Sequence, residues 1–186
     1  MRLTERIHLV GGADGERPSD RLDAQIYVVD TSDGLVAIDA GAGRRVDAVV
    51  DAIRDDGLDP SSVRWLLLTH AHADHAGGAA GWRRAMPQVE VLASPDVAGW
   101  LVDADEEATS VDRARAAGIY PAGYRLEPCA VGPVGGTTLR LGALAVEVVQ
   151  TPGHAAGHLA FLAEIDGATT IFSGDALFPE DRKSVV

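Results

Sequence analysis

The chain has 186 residues, enough for one domain with a well-buried core and too few for two. Hydrophobic residues make up 46% and charged residues 24%, as in ordinary globular domains. The 28 acidic and 16 basic side chains give a net charge of −12. Because an acidic surface repels phosphate backbones, we do not expect nucleic acid as a partner.

A lone cysteine and the absence of long apolar runs exclude further classes. Cys129 can form neither an internal disulfide nor a thiolate zinc cluster, and we interpret it as a buried bystander. The first ten residues lack the apolar core of a secretory signal, and no apolar run approaches the roughly 18 residues of a membrane span. We therefore expect a cytoplasmic protein without a membrane partner. The sequence does not predict its oligomeric state.

The first third of the chain predicts strands and one helix. Val46, Val49, Val50 and Ile53 have helical spacing within a predicted helix from Arg45 to Asp55. The last predicted strand of this part is almost wholly apolar, which is typical of a strand covered on both faces. The expected strands are Ile7–Val10, Gln25–Val29, Leu35–Ile38 and Val63–Leu68.

The remainder predicts alternation of helices and strands, followed by strands alone. Ser94-Pro95 is an N-cap followed by a first-turn proline, so a helix should begin there and reach about Val102. Residues 103–131 predict a helical or irregular excursion. The other elements are a helix at Gly78–Met86 and strands at Val89–Ala93, Leu139–Leu141, Leu144–Val149, Leu159–Ile165 and Thr169–Phe172. This order favours a layered α/β domain with mixed sheets.

Three short segments that follow predicted strands carry metal-ligand residues. In the first, His70, His72 and Asp74 alternate, so in an extended loop their side chains would converge while His75 faces a neighbouring position. Imidazole and carboxylate ligands without sulfur suit Zn, Fe or Mn. The others are Thr151-Pro152-Gly153-His154-Ala155-Ala156-Gly157-His158 and Phe172-Ser173-Gly174-Asp175. Taken together, the three segments indicate a metal site at the carboxyl ends of the strands.

These motifs resemble those of the metallo-β-lactamase superfamily. The pattern His-x-His-x-Asp-His-x-Gly is followed by a Thr-Pro-Gly-His turn and then by Ser-Gly-Asp. The wording Thr-Pro-Gly-His-x-x-Gly-His is most similar to the glyoxalase II and lactonase branches. The resemblance implies an αββα sandwich with two divalent metal ions, zinc first among the candidates, at one edge.

Carried over by position, the resemblance assigns a role to each ligand. It implies that His70, His72 and His154 bind the first metal, that Asp74 and His75 bind the second, and that Asp175 bridges the two. Asp39 resembles the family's buried carboxylate that supports the ligand histidines. The alternative for Asp39 is an ordinary turn residue before Gly41. His158 is expected to pack locally or support a ligand, and His8 to be structural or exposed.

The end of the chain departs from the family pattern. The family supplies one more histidine beyond the Gly-Asp, and no histidine follows Asp175 here. Lys183 is the only lysine, and it lies in the run Asp181-Arg182-Lys183-Ser184-Val185-Val186, which matches the translation of a common sequencing-library adapter. We predict a domain over residues 1–180 whose second half is incomplete, followed by a non-native tail at 181–186. A natural mononuclear variant and a natural polar C-terminus are the alternatives.

The resemblance implies a hydrolase in which a metal-bound hydroxide cleaves a thioester, a lactone or another ester of a small molecule. The metal would also stabilise the developing oxyanion, and Asp74 would pass a proton to the leaving group. Two alternatives remain open from the sequence. One is a persulfide dioxygenase with a single iron on His70, His72 and Asp175, and the other is a metal-binding fragment without turnover.

Overall fold

The computed structural model describes residues 1–14, 19–134 and 136–177. The predicted non-native tail, residues 181–186, lies outside the described residues. In the described ranges, no helix combines the length and the apolar character needed to cross a bilayer.

The strands and helices follow the predicted order closely. In the described ranges the strands are β1 (Ile7–Gly11), β2 (Ile26–Asp30), β3 (Leu35–Ile38), β4 (Val63–Leu67), β5 (Glu90–Ala93), β6 (Gly132–Pro133), β7 (Thr138–Leu141), β8 (Leu144–Gln150), β9 (Leu159–Ile165) and β10 (Ala168–Phe172). The α-helices are α1 (Val46–Asp55), α2 (Ala73–Ala76), α3 (Ala79–Ala85), α4 (Pro95–Asp103) and α5 (Val111–Ala116). Short 3₁₀ turns occur at Pro60–Ser62 and Gly174–Ala176.

The described strands form two sheets. Strands β1 to β6 pair in sequence order, antiparallel from β1 to β3 and parallel from β3 to β6. The second sheet is antiparallel, in the order β10-β9-β8-β7. The parallel strands β3 and β4 therefore end at the same edge of the first sheet, and the ligand segment, residues 69–78, begins just beyond that edge.

Two buried clusters define the layers. One lies between the helices and the first sheet, with the wholly buried Trp82 of α3 and Ile53 of α1 packed against strand residues such as Leu66. The other lies between the two sheets and contains Leu67 of β4 and Phe161 of β9. Neighbours along β4, Leu66 and Leu67, thus face opposite clusters, as the nearly continuous apolar run of this strand predicted. The described residues contribute three layers in the order helices, sheet, sheet.

Two local elements differ from the sequence prediction. The prediction of an extended loop through Asp74 is wrong, because helix α2 begins at Ala73, where the N–H groups of His75 and Ala76 donate to the carbonyl of His72. The excursion after α4 contains helix α5 and ends at the two-residue strand β6. A strand this short has no periodicity by which sequence patterns could find it.

A turn rich in small residues, 39–43, binds the ligand segment through the backbone. The Ala40 N–H donates to the carbonyl of His75 at 2.6 Å, and the Gly78 N–H donates to that of Gly41 at 2.8 Å. Gly43 has a φ of +77°, and a Cβ there would meet backbone atoms of Gly77 and Gly78 at 2.8 to 2.9 Å. The two segments therefore approach too closely for any side chain at position 43.

We predict that Gly43→Ala destabilises the fold more than Gly57→Ala does. Gly57 ends helix α1 with a similar φ of +81°, but a Cβ there would meet nothing within 4 Å. Left-handed strain should lower the stability of both variants by roughly 1–2 kcal/mol, and overpacking should lower that of Gly43→Ala by about 1–3 kcal/mol more. Urea denaturation of both variants measures the difference, and equal losses would contradict the close approach.

Candidate metal centre

The histidines of the first segment are delivered by the end of strand β4. After Leu67 the chain bends at Thr69, Ala71 and His72 before α2 begins at Ala73, and His72 itself has an extended backbone with a ψ of 142°. His70 is fully buried, His72 is half-buried, and His75 lies inside the short helix with 4% exposure. The change from extended to helical backbone at residue 72 sends His75 in a different direction from His70 and His72.

Three imidazoles converge in a first group. His70, His72 and His154 place one nitrogen each within 4.8 Å of the others. Nδ1 of His72 lies 3.1 Å from Nε2 of His70 and 2.9 Å from Nε2 of His154. His154 is exposed and comes from the loop that joins β8 to β9. Residues 82 positions apart in the chain are thus held at the same point.

A second group shares one histidine with the first. His70, His75 and Asp175 also place their ligand atoms within 4.8 Å of one another. The two carboxylate oxygens of Asp175 lie 3.3 Å from Nε2 of His75 and 3.4 Å from Nε2 of His154. Asp175 therefore spans both groups, the position that a bridging ligand requires.

Asp74 is the predicted ligand that the structure holds least closely. Its carboxylate lies 3.8 Å from Nε2 of His75, is 39% exposed, and belongs to neither group. The structure thus brings together five of the six predicted ligands, His70, His72, His75, His154 and Asp175, with Asp74 beside them. His70 contributes to both groups, whereas the sequence assigned it to the first metal alone.

Asp39 connects to both buried histidines. One oxygen lies 2.7 Å from Nδ1 of His75. The carboxylate also accepts the backbone N–H of Thr69 at 2.8 Å and its hydroxyl at 2.9 to 3.0 Å. Because the Thr69 hydroxyl donates to Asp39, it can accept a hydrogen bond from Nδ1 of His70, which lies 3.1 Å away. This network places a proton on Nδ1 of each imidazole, so that Nε2 is the nitrogen through which His70 and His75 can bind a metal.

His158 supports the site without joining either ligand group. Its ring stacks on that of His70, with centroids 4.8 Å apart and an interplanar angle of 25°. Its Nδ1 lies 2.7 Å from Oγ1 of Thr151, and its carbonyl accepts the Thr151 N–H at 3.0 Å. These contacts close the loop from 151 to 158, which presents His154. The predicted role of His158 in local packing or ligand support agrees with this position.

The sequence also raised a question of role for His8 and Cys129. His8 lies outside the site, buried beside Asp56 at 3.0 Å. Cys129 is buried in the cluster on the helix side of the first sheet. Thr69, which the sequence analysis missed, links Asp39 to His70. The one feature of the sequence that could have indicated this role is the position of a hydroxyl residue directly before His70, the first predicted ligand.

The electrostatics of the metal-free site favour neutral imidazoles in the first group. Burial, reinforced by the neighbouring histidines, shifts the pKa of His70 far below its usual range. Burial, followed by the proximity of His154, also lowers the pKa of His72. A neutral imidazole keeps the lone pair that a metal needs, so these two histidines are in the ligating form at neutral pH.

In the second group, the charges of the carboxylates outweigh burial and favour a protonated imidazole at His75. Burial alone would lower the pKa of His75, but the carboxylates of Asp39, Asp175 and Asp74 raise it to about 10. The proximity of His75 lowers the pKa of Asp175 in return. Without a metal, a proton on His75 supplies the positive charge among these carboxylates.

The donor set fits a divalent metal. Nε2 of His75 is buried and has no hydrogen-bond partner of good geometry, although an oxygen of Asp175 lies 3.3 Å away. An unpartnered buried nitrogen that faces a carboxylate and a third ligand atom is what a metal ion would satisfy. Since the set contains only imidazole and carboxylate, it suits Zn, Fe or Mn.

Comparison with known proteins gives the site a context. Residues 20–185 match the profile of the metallo-beta-lactamase superfamily. A hydroxyacylglutathione hydrolase of Xanthomonas euvesicatoria pv. vesicatoria is 33% identical over 158 residues, which are 84% of this chain and 47% of that protein. A Bacillus subtilis protein named "Probable metallo-hydrolase YqgX" is 28% identical over 87% of this chain and 69% of its own length. The chain thus spans about half the length of the first of these relatives.

Solved structures show the same fold. A metallo-beta-lactamase of Legionella gormanii superposes with a TM-score of 0.74, covering 97% of this chain and 65% of its own, at 18% identity. At that identity the likeness concerns the fold alone. The predicted αββα class is confirmed.

We predict that Asp39→Asn weakens metal binding about 10- to 100-fold, because it removes the charge that orients His75 and, through Thr69, His70. Asparagine is a conservative choice, since it tolerates the φ of +61° found at Asp39. The exposed Asp103→Asn is the matched control. Competition with a chromogenic chelator measures both variants, and an affinity for Asp39→Asn equal to that of the control would contradict the role.

Proposed function

The chain belongs to the metallo-β-lactamase superfamily, and we propose that it is a metal-dependent hydrolase of a small-molecule thioester or related ester. The convergence of two overlapping ligand groups at His70 carries this proposal. The relative named hydroxyacylglutathione hydrolase supports a thioester before a lactone or another ester. The net charge of −12 supports a small molecule rather than a nucleic acid as the substrate.

We propose two zinc ions, with Fe or Mn as alternatives. His70, His72 and His154 would hold the first, and His75, Asp74 and Asp175 the second, with Asp175 also reaching His154. A bound metal of this kind supplies a Lewis acid for the carbonyl and lowers the pKa of water to about 7.

The chain's own residues would orient the metal ligands and transfer a proton. Asp39 and Thr69 fix the tautomers of His70 and His75, so that both imidazoles offer Nε2 toward Asp175 and His72. Asp74 is the carboxylate at the solvent side of the site, with 39% exposure. It can therefore receive a proton from the attacking water and transfer it to the leaving group as the thiolate or alkoxide departs.

The first test is metal content. Protein purified without chelators should carry close to two transition-metal ions per chain, because the chain offers two groups of converging ligands. Elemental analysis of folded protein measures the ratio. A folded protein with metal at background level would overturn the proposal.

The second test identifies the nucleophile. His72→Ala and Asp175→Ala should reduce hydrolysis of a hydroxyacylglutathione by at least about a thousandfold. Each substitution removes a proposed metal ligand, and the proposed reaction depends on the metal. The control, Cys129→Ala, should stay within about threefold of the original chain, since this thiol is buried away from the ligand groups. A large loss for Cys129→Ala with unchanged metal content would indicate a thiol enzyme instead.

A substrate panel distinguishes the ester classes. A hydroxyacylglutathione, a lactone and a β-lactam should be compared by kcat/KM under the same metal loading. We expect the thioester to be hydrolysed fastest. Preference for the lactone would retain the metal-dependent hydrolase and replace the substrate class, whereas a chain that carries both metals and turns over none of the three would contradict an ester hydrolase.

A further inference from the structure

Asp23, in the loop that precedes strand β2, is a buried carboxylate outside both ligand groups, with 5% exposure. One of its oxygens accepts a hydrogen bond from the hydroxyl of Ser19 at 2.5 Å. The other accepts the backbone N–H of Ala42 at 2.7 Å. Because a buried carboxylate is costly unless it is hydrogen-bonded, these two partners hold Asp23 in place between two segments of the chain.

The Ser19 hydroxyl ties Asp23 to the first sheet. Oγ of Ser19 accepts the N–H of Gly12, the residue directly after β1, at 3.0 Å. The carbonyl of Gly12 accepts the N–H of Ser19 in return, at 3.1 Å. The end of a strand therefore fixes the position of Ser19, and its hydroxyl proton remains for Asp23.

The other oxygen of Asp23 holds the 39–43 turn. Gly41 has a φ of +68°, and a Cβ there would meet Cγ and Oδ1 of Asp23 at 2.7 Å. The turn thus lies directly against the carboxylate. Because the Ala40 N–H donates to the carbonyl of His75, the same turn connects Asp23 to helix α2.

The residue after Asp23 contacts helix α2 directly. The N–H of Ala24 donates to the carbonyl of Asp74 at 3.0 Å. Helix α2 has only four residues and contains both Asp74 and His75. Contacts that begin at Asp23 therefore reach this helix by two routes, the neighbouring N–H and the 39–43 turn.

We propose that Asp23 is a positioning residue for the second metal, because it fixes the place of α2 and with it the directions of Asp74 and His75. Asp74 in particular depends on its backbone for direction, since its side chain is 39% exposed and lies 3.8 Å from Nε2 of His75. The three histidines of the first group lie outside α2. The proposal rests on the proposed function in one respect: Asp74 and His75 are taken as ligands of the second metal.

The test compares Asp23→Ala with Asp59→Ala. Asp59 is a matched control, because it also accepts one backbone N–H and one serine hydroxyl, both from Ser61, at 2.9 and 2.5 Å. It is exposed and precedes β4, whereas the ligand segment follows that strand. A third variant, Asp23→Asn, keeps an acceptor oxygen for Ala42. Two quantities are measured: the hydrogen-exchange rates of the Ala24 and Ala42 amides in the metal-free chain by NMR, and the stepwise dissociation constants of two zinc ions by chelator competition.

In Asp23→Ala we expect both amides to exchange at least about tenfold faster, because Ala42 loses its acceptor and Ala24 loses the side chain that holds its loop. One of the two zinc ions should lose about 10- to 100-fold in affinity, as is typical when a residue that orients a ligand is removed, and the other should stay within about twofold. Asp23→Asn should stay within about threefold of the unmodified chain in all these quantities, since the hydrogen bond from Ala42 is retained. Asp59→Ala should match the unmodified chain.

The proposal is overturned if Asp23→Ala leaves either the amide exchange or the zinc affinities unchanged. It is also overturned if both zinc ions weaken to the same degree, because that pattern indicates general loosening of the fold. Equal losses in Asp23→Asn and Asp23→Ala would overturn it as well, since the asparagine keeps the acceptor.

Two further outcomes are equally decisive. If Asp23→Ala does not fold, Ser19→Ala removes only the hydroxyl that holds the carboxylate and should weaken one zinc ion at least about threefold. Unchanged zinc binding in Ser19→Ala would then overturn the proposal. If the unmodified chain binds no zinc at all, the proposed function fails, and the exchange rates of Ala24 and Ala42 still decide whether Asp23 holds α2.

Discussion

The buried carboxylate of Asp39 is the contact on which the arrangement of ligands depends. It lies directly after strand β3 and accepts hydrogen bonds from Thr69, the second residue after the parallel neighbour β4, and from His75 of the following helix. A carboxylate with 3% exposure is stable only when its oxygens are hydrogen-bonded, and here every partner among the described residues belongs to the ligand segment. The requirement to satisfy Asp39 therefore also orients the histidines.

The backbone around Asp39 is shaped to make this possible. Asp39 itself has a φ of +61°, a left-handed conformation that is unfavourable for most residues. The strain is maintained by the backbone hydrogen bond from Asp39 to the carbonyl of Leu67 and by the contact of the 39–43 turn with Gly77 and Gly78. Glycines at these contact points let two backbones approach closely enough to fix the ligands from both sides.

The sequence predicted the layered fold and which ligand-type side chains converge, because each rests on local signals. His70, His72 and His75 lie within six residues, and apolar periodicity located strands such as Leu35–Ile38 without error in the bounds. It did not predict helix α2, because four residues that include two ligands show no helical period. The role of Thr69 escaped notice for a different reason: its contact with Asp39 joins residues 30 positions apart, and no pattern in the intervening segment encodes that contact.

Some contacts of the site stabilise the fold by themselves. Other groups of the site would stabilise it only with a metal bound. The Nε2 atom of His75 is buried and has no hydrogen-bond partner. The ring nitrogens at which His70, His72 and His154 meet can hydrogen-bond to one another only through a ring proton. Leaving a buried polar group unsatisfied costs about 1–3 kcal/mol, so the scaffold holds these groups together against their own preference for water. Asp39 and Thr69, with the stacked His158, supply that support from behind the ligands. Because ligands held in this way need little reorganisation, most of the binding free energy of a metal would appear as added stability of the folded chain.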